Sequence, residues 1–424
     1  MQIGILGLGT VGTGVVELIE KNNDIIAKRI KDHINIKKVL VKNLNKQRSP
    51  LVEGKITDRF EDIIEDEEIS VVVEVMGGEE PALSYIKEAL NRGKHVVTAN
   101  KEVIAKYGNE LLELSAKKDV NLLFEASVAG GIPIIRPMKE CLSANEITKI
   151  MGILNGTTNY ILSQMTEQGK SFNEALTEAQ LEGYAESDPT DDIKGFDAAR
   201  KLAILSSIAF NTRITPDQVY TEGIDSISHV DIQYAQEMGQ VIKLIAIGKK
   251  HEKNSIEVSV TPVLLSKDHP LASVAGSFNA IMAEGNAVGP VMFYGLGAGK
   301  MPTASAVVAD IMETAKNHNG SKLYCTCFNH FDVMDAGQAY TSFYIRLRAV
   351  DKPGVLSKIA GAFGENQISL SKVFQKNTIN GTAEIVIVTY DVPFKNLQKA
   401  LSELKAYKQV VDVSTVIRVE EEHN

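Results

Sequence analysis

The 424-residue sequence predicts an α/β chain of three successive parts, and three observations predict it. Strand-like and helix-like segments alternate through residues 1–125, a Gly-x-Gly-x-x-Gly run at 7–12 joins the first strand to the first helix, and the order β-α-β-β-α-β fills 341–424. Strand–helix alternation means parallel pairing with right-handed crossovers, hence a Rossmann-type open sheet with ligands at the carboxyl ends of its strands. The C-terminal order is the ferredoxin-like one.

Residues 2–6 are a short apolar strand, 11–21 carry helical periodicity, 34–41 read as a second strand and the Val-rich 70–76 as a buried one. The segment 81–91 is helical, with Pro81 in its first turn and Gly93 just past its end. Residues 95–98, a helix over 102–118 and residues 120–125 complete the first domain. From 126 to about 294 the rhythm changes: helices at 171–181, 195–210 and 229–240 mix with strands at 242–247 and 256–262, an α+β region. A helix over 304–314, in the stretch 300–316, is expected to pack back on the first domain. The polar stretch 317–340 reads as a linker between a central domain over 126–299 and the last unit. That unit places strands at 343–349, 368–375, 383–390 and 410–417 and helices at 354–365 and 394–404.

The chain carries 45 Lys+Arg against 54 Asp+Glu and has 44% hydrophobic residues. This balance argues against nucleic acid and anionic membrane as partners, because phosphate contact needs clustered cations. The longest apolar run, 202–210, is half of the roughly 18 residues that a span needs. The N-terminus enters a strand pattern without the basic and apolar regions of a targeting segment, so a cytoplasmic location is expected. Cys141, Cys325 and Cys327 cannot build a disulfide framework. Cys325-Thr326-Cys327 lacks zinc-ligand spacing and reads as small residues in a strand.

In the glycine run, Gly7 makes the tight turn, Gly9 lets backbone approach a pyrophosphate and Gly12 allows close helix–strand packing. Thr10 and Val11 open the helix, whose N-terminal N–H groups face the phosphates. NAD binders end the second strand with an acidic residue that holds the ribose hydroxyl. Here Lys42 and Asn43 follow, with Lys46 and Arg48 nearby, so NADP(H) is favoured over NAD(H).

Residues 183–192 pack Glu186, Asp188, Asp191 and Asp192 together, followed by Gly195, Asp197 and Lys201. At about 100° per residue, a helix over 195–210 puts Asp197 and Lys201 on the stripe of Ile204, Leu205 and Ile208. Opposite charges one turn apart on a buried face form a structural or a catalytic pair. Desolvating a lysine makes most sense where its proton is used. The surrounding carboxylates suit a cation, either a substrate ammonium or a metal, but no Gly-punctuated calcium loop is present.

Ala179-x-x-x-Gly183-Tyr184-Ala185 with Asp188-Pro189-x-x-Asp192-Ile193-x-Gly195-x-Asp197-x-x-x-Lys201 resembles the signature of the homoserine dehydrogenase family. So do Thr98-Ala99-Asn100-Lys101, the run from Glu125 to Pro133, and Gly295-Leu296-Gly297-Ala298-Gly299, so that the resemblance covers essentially the whole chain. It implies reduction of L-aspartate 4-semialdehyde to L-homoserine with NAD(P)H, on the route to threonine, methionine and isoleucine. It also implies a central domain for catalysis and dimerisation, in a homodimer or homotetramer. Carried over by motif, Lys201 resembles the proton-transferring lysine, with Asp197 beside it. Gly183, Glu186 and Asp192 resemble substrate-binding positions. Lys101 resembles a residue shared between nicotinamide and substrate, and Thr98 and Gly299 resemble cofactor-side positions. Glu125 and the carbonyls of Val128, Gly130 and Ile132 resemble a site for Na⁺ or K⁺. The chemistry suits these types: hydride added to an aldehyde leaves an alkoxide, and a lysine offers it both a proton and a positive charge.

Asp351-Lys352-Pro353-Gly354-Val355-Leu356 and Asn366-Gln367-Ile368-Ser369 resemble the turns of ACT domains, which implies feedback inhibition, with threonine as the expected effector. Four other functions compete. An aspartate-semialdehyde dehydrogenase needs an activated cysteine, and Cys141 has no adjacent His. Prephenate and phosphoglycerate dehydrogenases do not fit the 183–201 pattern. A non-catalytic NADP- and amino-acid-sensing regulator would not need Lys101, Glu186, Asp197 and Lys201 together.

Overall fold

The computed structural model describes residues 1–252, 254–316, 327–379 and 381–420. By contact density the chain forms two compact units. The first comprises Met1–Ile150, Arg200–Asp217 and Asn279–His330; the second comprises Met151–Ala199, Gln218–Phe278 and Phe331–Asn424. The sequence boundaries at 125 and 299 fall inside the first unit.

In the first unit, β1 (Gln2–Leu6), β2 (Asn35–Leu40), β3 (Ile56–Thr57), β4 (Ile69–Glu74), β5 (His95–Thr98) and β6 (Leu122–Leu123) form one sheet. Its order is β3-β2-β1-β4-β5-β6, and every pairing is parallel. This is the doubly wound arrangement, with the change of direction between β1 and β4, where such folds bind their ligands. Ile3, Ile5, Leu6 and Val71 to Val73 are fully buried, as a sheet covered on both faces requires. The helix Lys300–Lys316 closes the unit. Its Ala304, Val307, Val308 and Ile311 share a core with Val15, Val16 and Ile19 of the helix Thr10–Lys21 and with Ile3 and Ile5 of β1.

In the second unit the strands Gln240–His251 and Ser255–Ser266 pair antiparallel. The last strand of the chain, Val410–Glu420, runs parallel beside the second of these, Val263 to Leu265 against Arg418 to Glu420. The sheet continues through Tyr340–Val350, Thr382–Thr389 and Leu370–Ile379. These four C-terminal strands, with the helices Val355–Glu365 and Phe394–Ala406, are the expected β-α-β-β-α-β unit. Phe343, Ile345 and Leu347 alternate into a core with Ile359, Phe363, Leu397 and Leu404. The intervening side chains, Tyr344 and Arg346, are buried on the opposite face. There Arg346 Nε donates to Asp231 Oδ1 at 2.7 Å, Asp231 being part of the helix His229–Glu237.

Several elements were not foreseen: the strand Ile147–Ile153, the helix Gly156–Gln168 and the hairpin Phe278–Gly285/Gly289–Leu296. That helix buries Thr157, Thr158, Asn159 and Ser163 along with its aliphatic residues, so it shows no apolar stripe. Of the expected linker, residues 317–326 lie outside the described residues, and with them Cys325. Cys327 stands in irregular backbone, which corrects the reading of a strand there: Asn329 is tied to the turn at Phe210 and Asn211 instead of to a sheet. Further on, Asp332 and Val333 pair with Ser255 and Ile256.

Candidate active site

On the cofactor side, Gly7 turns the chain at φ +100° and donates its N–H to Leu40 O at 3.0 Å, placing the loop over the ends of β1 and β2. A methyl group at Gly12 would lie 2.3 Å from Gly7 O, so the third glycine is dictated by contact. At Gly9 the same test meets open space. Gly9 is the N-cap of the helix Thr10–Lys21 and supplies no side-chain cap, so the first helical N–H groups, including those of Thr10 and Val11, are presented to an anion. These observations fit a dinucleotide pyrophosphate. Gly14, which the motif does not require, touches Lys300 O across the helix pair, where a methyl group would sit at 2.6 Å. This contact and the ion pair of Lys300 with Glu17 at 2.6 Å hold the start of Lys300–Lys316, and so Gly299 at φ +117°, beside the glycine loop. Lys42 and Lys46 are exposed beyond β2, and Arg48 Nε is buried without a hydrogen-bond partner.

Glu74 ends β4 fully buried, and burial raises its pKa above the usual carboxylate range. Its carboxylate accepts from Met76 N at 2.8 Å and from the Thr98 hydroxyl at 2.6 Å. Thr98 Oγ1 accepts in turn from Asn100 N, and the Asn100 amide donates to Gly78 O at 2.7 Å while its oxygen caps Val103 N. The loops after β4 and β5 are therefore tied together, and Lys101, the first residue of the helix Lys101–Lys117, is half-buried on the tied turn. The Thr98 side chain belongs to this support.

Glu125 accepts from the N–H groups of Ile134, Ile135 and Arg136 at 2.6, 2.7 and 2.8 Å. Three donors take three of about four lone-pair positions of a carboxylate, so Glu125 anchors the turn at 134–136. Ala129 and Gly130 are both left-handed, at φ 54° and 51°, and curl the loop of Val128, Gly130 and Ile132 against Gly297, whose carbonyl would meet a Gly130 methyl group at 2.4 Å. Asp310 accepts from Glu125 N and Arg136 Nη2, each at 2.8 Å. Burial, reinforced by the Glu125 carboxylate, pushes its pKa up to about 7.

In the second unit, Gly183 turns at φ +77° after the helix Phe172–Leu181. The following segment is pinned by Tyr184 N and Ala185 N to Ala179 O and by Gln180 Nε2 to Glu186 O. Glu186, Asp188 and Asp191 are exposed, whereas Asp192 is half-buried and Asp197 is 3% exposed. Asn155 caps the helix Gly156–Gln168, and its Nδ2 donates to Asp192 Oδ1 at 2.6 Å and to Asp197 Oδ2 at 2.8 Å. Asp197 lies in the first turn of the helix Phe196–Ala209, and half-buried Lys201 follows one turn later on the same helix.

A family model described as homoserine dehydrogenase matches residues 133–312. The NAD-binding domain of the same family matches 7–125, and an ACT domain matches 343–409. A homoserine dehydrogenase of Synechocystis is 44% identical over 99% of both chains. A crystal structure of a homoserine dehydrogenase from Thiobacillus denitrificans is 40% identical, has a TM-score of 0.94, and covers 99% of this chain and 98% of that one. The chain belongs to the homoserine dehydrogenase family. A hyperthermophilic archaeal homoserine dehydrogenase in complex with NADPH is 30% identical with a TM-score of 0.63, covering 74% of this chain and 96% of that one.

As a homoserine dehydrogenase, the enzyme is an oxidoreductase that uses a nicotinamide cofactor, and its ferredoxin-like unit is an ACT domain. The expected positions fall into two groups: the cofactor loops, Lys101, the Glu125 loop, Lys201 and Gly299 in the first unit, and Gly183, Glu186, Asp192 and Asp197 in the second. Sequence reasoning missed Glu74, Asn100 and Asn155. A lone acid closing the Val71–Val73 run was the available signal for Glu74. For Asn155 the signal was an N-cap residue after an apolar strand, Asn155-Gly156-Thr157-Thr158.

Proposed function

We propose that this homoserine dehydrogenase reduces L-aspartate 4-semialdehyde to L-homoserine, on the route to threonine, methionine and isoleucine, with Lys201 as the proton donor. The observation that carries this reading is Asp197, a carboxylate buried in the first turn of the helix that presents Lys201 one turn later. When bound, the nicotinamide supplies the hydride. Glu186, Asp192 and the turn at Gly183 receive the amino-acid end of the substrate, the carboxylates facing its ammonium. Lys101, on the turn tied by Glu74 and Asn100, would serve both nicotinamide and substrate. Lys201 gives its proton to the alkoxide and its charge offsets the developing negative charge, with Asp197 orienting it.

The cations at Lys42, Lys46 and Arg48 support NADPH over NADH, as does the NADPH complex of the archaeal relative. Val128, Gly130 and Ile132 would offer carbonyls to Na⁺ or K⁺, with Glu125 contributing its remaining lone pair. Met292, Tyr294 and Leu296 are exposed on alternate residues of the strand Gly289–Leu296, which supports a homo-oligomer, dimer or tetramer, formed in the cytoplasm. Among the described residues no helix is long and apolar enough to cross a membrane. The turn at 351–354 of the ACT domain, where Gly354 is left-handed at φ +85°, is the place for a threonine effector.

The test is a spectrophotometric assay of nicotinamide oxidation with aspartate semialdehyde. It is run with NADPH and with NADH, in Na⁺, K⁺ or choline chloride, with and without threonine. Turnover dependent on the semialdehyde is expected, faster with NADPH, stimulated by Na⁺ or K⁺ and inhibited by threonine. Absence of turnover with both cofactors overturns the substrate assignment. Equal rates with NADH, or in choline, remove the cofactor preference or the cation site, and indifference to threonine removes the effector.

A further inference from the structure

We propose that Asn155 is a positioning residue of the reduction: by bridging Asp192 and Asp197 through one amide it fixes the carboxylates on which substrate capture and Lys201 depend. The inference rests on the reading that Asp197 and Lys201 take part in the chemistry.

The Asn155 side chain is 5% exposed and saturated. Its Oδ1 accepts from Thr158 N at 2.8 Å and Thr158 Oγ1 at 3.0 Å, and its two N–H bonds go one to each aspartate. A flipped amide would set oxygen against two carboxylates and nitrogen against an N–H donor, so the contacts fix its orientation. Helix capping needs only the oxygen, and Asp, Ser or Thr would serve as well. Only the short amide adds two donors that diverge from the cap. Capping therefore does not account for the residue type, whereas holding two negative charges does.

The bridge spans a corner. Asp192 lies in the short helix Thr190–Ile193 and Asp197 in the first turn of Phe196–Ala209, with Gly195 between them at φ +82°. Two carboxylates within two hydrogen-bond lengths of one another repel, and the shared donor offsets that repulsion while setting both side-chain angles. The support behind Asn155 is stiff. One turn along its helix, the Asn159 amide donates to the carbonyls of Val274, Gly276 and Phe278 at 2.9 to 3.1 Å and accepts from buried Lys243 at 3.0 Å.

The experiment compares Asn155→Ser, which keeps the cap and loses the bridge, with Asn155→Asp, which keeps stem and cap but adds a third negative charge. Both are made in the full-length enzyme, with Lys201→Ala in parallel. NADPH affinity is read by nicotinamide fluorescence, and kcat and KM with homoserine as substrate. Asn155→Ser is expected to lower kcat by about 10²-fold, the scale of a misplacement near 1 Å. It should also raise the homoserine KM while leaving NADPH affinity within about twofold, since the glycine loop is untouched. Asn155→Asp is expected to lose more. A residue that only stabilised the fold would lower the active fraction and leave KM unchanged. Wild-type kcat and KM in Asn155→Ser, or a loss confined to active fraction in whichever variant folds, overturns the proposal. Wild-type turnover in Lys201→Ala would instead overturn the reading beneath it.

Discussion

At Gly12 the distance of 2.3 Å from a would-be methyl group to Gly7 O leaves no accommodation except movement of the turn, which we propose receives the phosphates. Gly12→Ala is therefore expected to lose at least one backbone N–H contact to the cofactor, about 1.5–3 kcal/mol for a charged acceptor. That weakens NADPH by about 10- to 100-fold in a fluorescence titration; unchanged affinity would mean that the phosphates lie elsewhere. Lys201 is argued at the same scale. Lys201→Ala should lower kcat by about 10²–10⁴-fold with NADPH binding intact. Lys201→Arg should stay slow, because guanidinium keeps the charge but does not release a proton at neutral pH. A fast arginine variant would show that charge alone suffices. The close contact at Gly12 was legible in the sequence because a turn followed by a helix is a local pattern, and the helical position of Lys201 one turn after Asp197 was legible from the spacing, whereas its half-buried setting was not.

Elements add what no single position reveals. Arg346, on the first strand of the ACT domain, donates to both oxygens of Asp231, at 2.7 and 3.0 Å, and to Ser228 and Thr415 at 3.0 and 3.1 Å. Asp231 is fully buried and Arg346 8% exposed. Burial opposes the Asp231 charge, but Arg346 and Ser228 outweigh it and hold the carboxyl below its ordinary pKa. Removing one partner strands the other, so Arg346→Ala is expected to cost about 3–5 kcal/mol. The cost should be read as a lower urea midpoint at unchanged slope. Arg346→Met with Asp231→Leu should recover most of it. A single variant as stable as wild type would sink this account. The network was not legible beforehand, because an alternating strand announces which residues share a face and not what the second face meets.

For the whole molecule, two buried carboxylates contribute to the pH dependence of stability with opposite signs. Asp310 has its pKa pushed up to about 7 by burial and by Glu125. Between about pH 4, the unfolded value, and pH 7 the native chain holds a proton that the unfolded chain has released. Stability from this group is full below about pH 4 and is lost as pH rises to 7. Asp231, lowered instead, contributes stability above about pH 4 that disappears in stronger acid. Tm is accordingly expected to fall from pH 5 to 7 and Asp310→Asn to flatten that fall; an unaltered slope in the variant would overturn the assignment to Asp310. The ACT domain also matters at this scale. Its last strand pairs with Val263 to Leu265 of the preceding domain, so deletion from about residue 341 would bare a sheet edge, and loss of threonine response in such a truncation would not isolate the effector site.

The sequence by itself determined the parallel sheet, the glycine loop, the β-α-β-β-α-β order and the placement of Asp197 and Lys201 one turn apart on one helix, but not the burial of that helix, which leaves Lys201 and Ile208 of the expected stripe half-buried. Each of these is written in spacings of a few residues, where strand alternation, helical period and turn chemistry act. It did not announce the helix Gly156–Gln168, whose buried Thr, Asn and Ser residues break the apolar pattern. Only the tertiary structure decided that Asn155 meets carboxylates 37 and 42 residues away, that Glu74 ties two loops through Thr98, and that Arg346 finds Asp231 across 115 residues. A buried polar group must be paired wherever folding brings a partner, and that partner is selected by proximity in space.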